Sequence, residues 1–161
     1  MTTKEYNRAV DLFADKLYRF ILKNTRDREL SNDVVQQAYL RLWEQVSQIP
    51  FEKSKAWLFS TSYRYMIDLL RREKKNADWK EAEHLNVAFS KHYDGLEAVL
   101  DEALLKIPEL QRSLVMLRDY EGYSYSEIGE IMQLSESQVK VYIFRARKSL
   151  KEYLVSVETI L

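Results

Sequence analysis

Two capping boxes lie eleven residues apart near the C-terminal end of this 161-residue chain. The first joins Ser124 to Glu127, and the second joins Ser135 to Gln138. In a capping box the serine hydroxyl accepts a hydrogen bond from the amide three residues on, while the Glu or Gln side chain accepts one from the serine amide. Because each box begins a helix, this spacing leaves room only for a short helix, a tight turn and a second helix. That layout is typical of a helix-turn-helix, whose second helix enters the major groove of DNA.

The second helix of this motif is predicted to have an apolar face and a basic face. The inward positions of the motif are Ile128, Ile131, Leu134, Val139, Ile143 and Ala146. The outward positions are Gln138, Lys140, Val141, Phe144, Arg145 and Lys148. No acidic residue occurs from Val139 to Lys151. Lys140 and Arg145 are long enough to reach base edges or phosphates, and Val141 and Phe144 offer apolar contact to a thymine methyl. The alternative is an ordinary helical bundle with a solvated basic face.

The composition favours helices over strands. With 3 Gly and 2 Pro there is little turn chemistry for hairpins, and a hydrophobic fraction of 46% is enough for a core. We therefore expect an all-α fold of two small helical domains joined by a linker, the C-terminal one a helix-turn-helix.

An enzyme is the least expected class. The chain has no cysteine, and its two histidines, His84 and His92, are well separated from each other. We expect no catalytic residue, no metal and no cofactor. The N-terminus lacks the apolar segment of a signal peptide, and no apolar run is long enough to span a membrane, so we expect a cytoplasmic protein.

The formal net charge of zero conceals a strongly uneven distribution. Residues 1–75 carry 15 basic and 10 acidic side chains, a balance of +5. Residues 76–134 carry 5 basic and 12 acidic side chains, a balance of −7, and residues 135–161 carry 5 and 3, a balance of +2. Affinity for DNA depends on local neutralisation of phosphates, so the clustering is compatible with a DNA-binding protein.

Hydrophobic periodicity predicts the remaining helices. A first helix is expected over 5–23, a second after an N-cap at Ser31, and a third from an N-cap at Ser54 to about Lys75. Further helices are expected over 96–106 and 109–120, ahead of the two capped ones. The predicted domains are 1–75 and 96–155, with a linker at 76–95.

The second helix carries two distinct faces. Its predicted buried stripe is Val35, Ala38, Tyr39, Leu42, Trp43 and Val46. The opposite face contains Asp33, Gln36, Gln37, Leu40, Arg41 and Glu44. An exposed Leu40 among amides suggests a protein-contact surface, although single exposed leucines are also common on ordinary surfaces.

The third helix interleaves aromatic and basic residues. Trp57, Phe59, Tyr63 and Tyr65 do not all fit one inward face, so some are expected to be exposed near Arg64. Exposed aromatic rings beside arginines suit stacking on unpaired bases. Core packing of the rings, with basic side chains extending to solvent, is the alternative.

Taken together, these segments resemble bacterial RNA polymerase sigma factors of the extracytoplasmic-function class. The resemblance covers nearly the whole chain, and it is carried by the segments 33–43, 56–59, 68–72, 107–108, 127–129, 139–140 and 144–150. It implies a promoter-specificity subunit that binds core RNA polymerase, recognises the −35 and −10 elements and supports promoter opening.

The resemblance also implies which residues carry each role. It assigns polymerase binding to Asp33, Gln36, Gln37, Leu40 and Trp43, although Trp43 also fits the buried stripe. It assigns the −10 element to the loop 49–54 and to Trp57, Tyr63, Arg64, Asp68, Arg71 and Arg72. It assigns the −35 element to the outward face that begins at Gln138, with Lys140, Val141, Phe144, Arg145 and Lys148. Gln133 stands where the family usually has a turn glycine, so a left-handed backbone at this position would carry a modest penalty.

Three partners follow from the resemblance: core RNA polymerase, promoter DNA and an anti-sigma factor, with no membrane insertion of the chain itself. Two rivals use the same residues differently. A dimeric repressor or activator would use the helix-turn-helix, but no effector domain or obvious dimer helix remains once the N-terminal domain is assigned. A helical scaffold would have no role on nucleic acid.

Overall fold

The chain forms two compact units, Met1–Val87 and Ala88–Leu161, in a computed structural model that describes residues 1–77 and 95–160. These described residues contain helices, turns and bends with no strand, so the predicted all-α fold is confirmed. The helices are α1 (Thr3–Thr25), α2 (Arg28–Glu44), α3 (Phe51–Ala77), α4 (Leu96–Lys106), α5 (Glu109–Val115), α6 (Tyr125–Met132) and α7 (Glu136–Ile160), with a π-helical turn at Met116–Tyr120 between α5 and α6. Most of the predicted linker, with His84 and His92, lies outside the described residues.

The first unit is a bundle in which α1, α2 and α3 pack against one another. Its fully buried side chains come from all three helices: Leu17, Phe20, Ile21, Val34, Leu42, Leu58, Phe59 and Met66. The rings of Phe20 and Phe59 lie 5.6 Å apart and link α1 to α3. Burying one such side chain contributes roughly 1.5–3 kcal/mol, so this core is sufficient to hold three helices together.

Helix α2 begins earlier than the sequence indicates, and the predicted N-cap at Ser31 is wrong. Asp27 is the N-cap, and its side chain accepts a hydrogen bond from the amide of Leu30 at 3.0 Å. Ser31 is buried within the first turn, where its hydroxyl donates to the carbonyl oxygen of Asp27 at 2.7 Å. Asp and Ser are comparable N-caps, but the carboxylate also complements the helix dipole.

The predicted N-cap of α3 at Ser54 is also wrong. This helix begins at Phe51, directly after Pro50, and runs to Ala77. Proline has no amide proton to satisfy and has a backbone angle suited to a helix start. Ser54 is buried in the first turn, and its hydroxyl donates to the carbonyl oxygen of Phe51 at 2.6 Å.

The buried stripe of α2 is rotated relative to the prediction. Val34 is fully buried, whereas Val35 is only half-buried and Trp43 is 45% exposed. Ala38, Tyr39 and Leu42 are buried as predicted. Helix α2 packs against both α1 and α3, so these two neighbours decide which of its side chains are buried. The hydrophobic pattern of α2 alone does not locate the centre of its buried face.

The second unit surrounds α7 with the helices that precede it. Its fully buried side chains include Leu114, Leu117, Ile128, Ile131, Val139, Ile143 and Ala146. The predicted helix over 109–120 is present, but its last five residues form the π turn. The chain then leaves the turn through Gly122, whose φ of 75° is a left-handed conformation that glycine adopts without strain.

Candidate nucleic-acid interface

Both capping boxes form as the sequence predicts. The Ser124 hydroxyl accepts from the Glu127 amide at 3.1 Å, and the Ser124 amide donates to the Glu127 carboxylate at 3.2 Å. The Ser135 hydroxyl accepts from the Gln138 amide at 3.1 Å, and the Ser135 amide donates to the Gln138 side chain at 2.9 Å. Four amides at the two helix starts are satisfied in this way, which fixes where α6 and α7 begin.

The turn between α6 and α7 is tight because of two backbone features. Gln133 has a φ of 57° and a ψ of 48°, a left-handed conformation at the position where the family usually has glycine. Gly129 lies so close to the turn that a Cβ atom added to it would be 2.7 Å from the carbonyl oxygen of Leu134. The Leu134 amide donates to the Gly129 carbonyl oxygen at 2.9 Å. A side chain at position 129 would therefore force α6 away from the turn.

Helix α7 divides into the two predicted faces. Val139, Ile143 and Ala146 are buried against the rest of the unit. Each of the six predicted outward residues is exposed: Gln138, Lys140, Val141, Phe144, Arg145 and Lys148. Phe144 is 70% exposed and Val141 is 46% exposed, so the outward face presents apolar groups among its cations. Such a face suits the edges of bases in a major groove.

Not all outward side chains are equally available for DNA. The side chain of Gln138 is engaged in the capping box through its oxygen. The ammonium group of Lys140 lies 5.7 Å from the ring centroid of Tyr125, a cation–π distance. The guanidinium of Arg118 lies 4.4 Å from the same ring centroid. No local sequence pattern distinguishes Arg118 or Tyr125, because only the folded helices bring them beside α7.

The predicted −10 residues lie along α3 with different exposures. Arg64, Asp68, Arg71 and Arg72 are exposed, whereas Trp57 and Tyr63 are half-buried. Arg64 donates to the Ser60 hydroxyl at 2.7 Å, one turn back along the helix. Of the other two aromatic residues, Phe59 is fully buried in the core and Tyr65 is half-buried. The aromatic rings available to a base are therefore fewer than the four in the sequence.

The predicted polymerase-binding residues share the outward side of α2. Asp33, Gln36, Leu40 and Trp43 are exposed, and Gln37 is half-buried. Leu40 is 51% exposed, and the ring of Trp43 lies 5.1 Å from that of Tyr6 in an edge-on contact. Two large apolar side chains are thus exposed three residues apart on one helix. Such an exposed pair is suited to a protein contact.

A cation–π contact joins α2 to α3 beside this surface. The guanidinium of Arg41 lies 5.3 Å from the ring centroid of Tyr65. Arg41 was predicted to lie on the outward face of α2, and it is exposed there. The contact places the surface of α2 next to the helix that carries the −10 candidates.

Within 1–77 and 95–160, no group of three or more His, Cys, Asp or Glu side chains is arranged to hold a metal ion. Burial raises the pKa of Tyr39, whose hydroxyl donates to the carbonyl oxygen of Ala9 at 3.0 Å. This hydrogen bond is part of the packing between α1 and α2.

No helix in the described part of the chain is long and apolar enough to cross a membrane.

Two family models match separate parts of the chain. The model described as Sigma-70 region 2 matches residues 9–76, and the model described as Sigma-70 region 4 matches residues 97–150. The first match covers α1 to α3, and the second covers α4 to α7 up to Leu150. The residues predicted to bind the −10 element lie within the first range, and those predicted to bind the −35 element lie within the second.

Similar proteins agree with these matches. The chain is 29% identical over 145 residues to the ECF RNA polymerase sigma factor SigM of Bacillus subtilis, covering 87% of this chain and 89% of that protein. It is 25% identical over 161 residues to the ECF RNA polymerase sigma factor SigW of the same organism, covering 90% and 86%.

Two solved structures share the fold. The sigma factor RpoE from Bartonella quintana, in complex with the anti-sigma factor NepR, matches with a TM-score of 0.76 and 22% identity over 94% of this chain and 98% of that chain. CnrH, in complex with the cytosolic domain of CnrY, matches with a TM-score of 0.73 and 22% identity over 96% and 90%.

Proposed function

The chain belongs to the sigma-70 family, in the extracytoplasmic-function class of RNA polymerase sigma factors, and on this premise we propose which of its residues carry each step of promoter recognition. Its function is that of a promoter-specificity subunit of RNA polymerase. The two domains bind different partners: residues 1–75 bind core polymerase and the −10 element, and residues 96–155 bind the −35 element.

Helix α7 reads the −35 element in this proposal. The carrying observation is its outward face, on which Lys140, Val141, Phe144, Arg145 and Lys148 are all exposed while no acid occurs from Val139 to Lys151. Arginine and lysine pair with guanine edges or phosphates, and apolar side chains contact thymine methyls. Gln138 contributes at the helix start, where its side-chain oxygen is engaged by the Ser135 amide.

Helix α3 binds the −10 element. Trp57 and Tyr63 are half-buried and offer ring surface for a base displaced from the duplex, while Arg64, Arg71 and Arg72 neutralise phosphates of the opened strand. Asp68, on the exposed side of the same helix, is an acceptor for amino groups of a base. The chain before Trp57, residues 49–54, completes this contact.

Helix α2 docks on the polymerase. Its exposed Leu40 and Trp43 supply apolar contact, and Asp33, Gln36 and Gln37 supply polar contacts around them. An apolar centre with a polar rim is the usual anatomy of a specific protein interface.

The chain acts as an initiation factor without chemistry of its own and depends on the polymerase for catalysis. We place it in the cytoplasm, where polymerase and promoters are found. The RpoE and CnrH structures each contain a bound partner, NepR and the cytosolic domain of CnrY. By analogy, an anti-sigma factor that covers the polymerase- and DNA-binding surfaces is the expected regulator of this chain.

Reconstitution tests the proposal directly. The chain is added to core RNA polymerase on a genomic DNA template, and the 5′ ends of the transcripts are sequenced. We expect new start sites with shared −35 and −10 sequences upstream, which core polymerase alone does not produce. A repressor or a helical scaffold would start no new transcripts, and that outcome would refute the proposal.

A further inference from the structure

One cation on α7 is engaged within the protein. Arg147 lies in the acid-free stretch of this helix, yet its Nη2 atom is 2.6 Å from Asp119 Oδ1 and its Nε atom is 3.2 Å from Asp119 Oδ2. Two parallel N–H···O bonds of this kind fix both the distance and the plane of the guanidinium. The hydrogen bond to Asp119 is also the main cause that raises the pKa of Arg147.

Tyr125 makes a smaller electrostatic contribution to the raised pKa of Arg147. The ring centroid of Tyr125 lies 4.4 Å from the Arg118 guanidinium and 5.7 Å from the Lys140 ammonium. One tyrosine at the start of α6 therefore connects the π turn with α7.

These contacts differ in kind from the rest of the α7 interface. Val139, Ile143 and Ala146 hold the helix by apolar burial, which is not directional and tolerates small rotations. The bidentate pair is directional, and its two residues are 28 positions apart in the chain. Asp119 belongs to the π turn. A π-helical turn contains more residues than an α-helical turn, so the side chains that follow α5 are rotated about the helix axis.

We infer that Arg147 is a positioning residue: Asp119 holds its guanidinium by two hydrogen bonds, and this pair fixes the rotation of α7 from which Lys140 and Arg145 reach the −35 element. The inference rests on the proposed role of α7 in reading that element. The side chains of Arg147 and Asp119 are 48% and 37% exposed, so the pair contributes little to stability and its loss leaves the unit folded. Its effect is on selectivity between DNA sequences.

The test uses the full chain in reconstituted holoenzyme. Affinity is measured over a range of salt concentrations for promoter DNA and for the same DNA with a scrambled −35 element. The variants are Asp119→Asn, Arg147→Lys and the double change, and a thermal melt of each verifies folding. Glu136→Gln is the matched control, since it removes one acid from an exposed position in the first turn of α7, about 16 Å along the helix from Arg147.

We expect each single variant to lower the ratio of promoter to scrambled affinity by about three- to tenfold, in the lower part of the range for residues coupled by direct contact, because the pair is partly exposed. The double variant should lower it no further, because both changes break the same contact. Asp119→Asn should also raise affinity for the scrambled DNA, because the freed Arg147 reaches a phosphate. The slope of log affinity against log salt concentration should then steepen by about one counterion. Glu136→Gln should leave the ratio unchanged.

Two outcomes would overturn the inference. If Arg147→Lys and Asp119→Asn both preserve the ratio, the pair does not position the helix. If Arg147→Ala lowers both affinities equally and reduces the salt dependence by about one ion, Arg147 is a phosphate contact instead. A separate variant, Arg145→Ala, tests the premise: if it leaves the ratio intact, the proposed role of α7 fails, whatever the Asp119 and Arg147 variants do.

Discussion

The turn of the helix-turn-helix depends on single residues at two positions. Gln133 is held in a left-handed conformation, which costs a non-glycine residue roughly 1–2 kcal/mol. Gly129 allows the carbonyl oxygen of Leu134 to approach to a distance that no side chain tolerates. The strain at one position and the close contact at the other have opposite consequences for substitution.

We expect Gln133→Gly to stabilise the second unit by about 0.5 kcal/mol, because relief of the backbone strain exceeds the added entropy of the unfolded chain. Gly129→Ala is the opposite control and should destabilise it, since the new Cβ atom would lie 2.7 Å from the Leu134 carbonyl oxygen. Thermal melts of the full chain, followed by circular dichroism, measure both effects. A lower melting temperature for Gln133→Gly would contradict the argument.

At the scale of the element, each outward face depends on how its helix is rotated in the bundle. The capping boxes set the start of α7, and its outward residues are where the period of the helix puts them. Helix α2 differs, since its burial centres on Val34, Ala38 and Leu42, and Trp43 is left 45% exposed. That rotation leaves Trp43 exposed as well as Leu40, its neighbour three residues earlier, and enlarges the surface proposed for polymerase binding.

A double change on α2 tests this surface. Gln37→Ala with Leu40→Ala should weaken binding to core polymerase by at least tenfold, because truncating a central apolar contact and its polar neighbour removes the kind of contact that dominates interfaces. Binding is measured by titrating core polymerase with labelled protein. Leu12→Ala is a matched control, since Leu12 is 45% exposed but lies on α1. Unchanged affinity of the double variant would remove α2 from the docking role.

At the scale of the whole molecule, two compact units carry separate proposed tasks. Each unit has its own buried core, so a surface change in one unit leaves the packing of the other unaffected. The charge is uneven along the chain, with a balance of +5 over residues 1–75, −7 over residues 76–134 and +2 over residues 135–161. Binding to polymerase and reading of the −35 element should therefore be separable by mutation.

Arg145→Ala is the change that tests this separation. We expect it to lower −35-dependent transcription by roughly tenfold, since a good arginine contact to a base is worth about 1–3 kcal/mol of discrimination. Its affinity for core polymerase should equal that of the unchanged protein. Start-site sequencing and the polymerase titration give the two readouts. An equal loss in both would mean that the units do not act separately.

Much of the fold follows from local pattern. The helices of residues 1–77 and 95–160, the two capping boxes and the exposed face of α7 are all readable in the sequence, because each depends on residues within about one helical turn. The helix starts near Ser31 and Ser54 were misplaced, because several residues in each segment are chemically able to begin a helix and packing selects among them. The division into domains at 75 and 96 and the roles of individual site residues stay predictions.

The sequence by itself determined that this chain is helical and that it carries a helix-turn-helix with a basic outward face, since these depend on short-range periodicity and motif spacing. The family was indicated by the resemblance of several segments to known sigma factors. The tertiary structure alone decided that Phe59 is buried, that Trp43 is exposed and that Arg147 pairs with Asp119. The physical reason is distance along the chain. Phe59 packs on Phe20, Trp43 on Tyr6, and Arg147 on a residue 28 positions away, and no local pattern encodes such contacts.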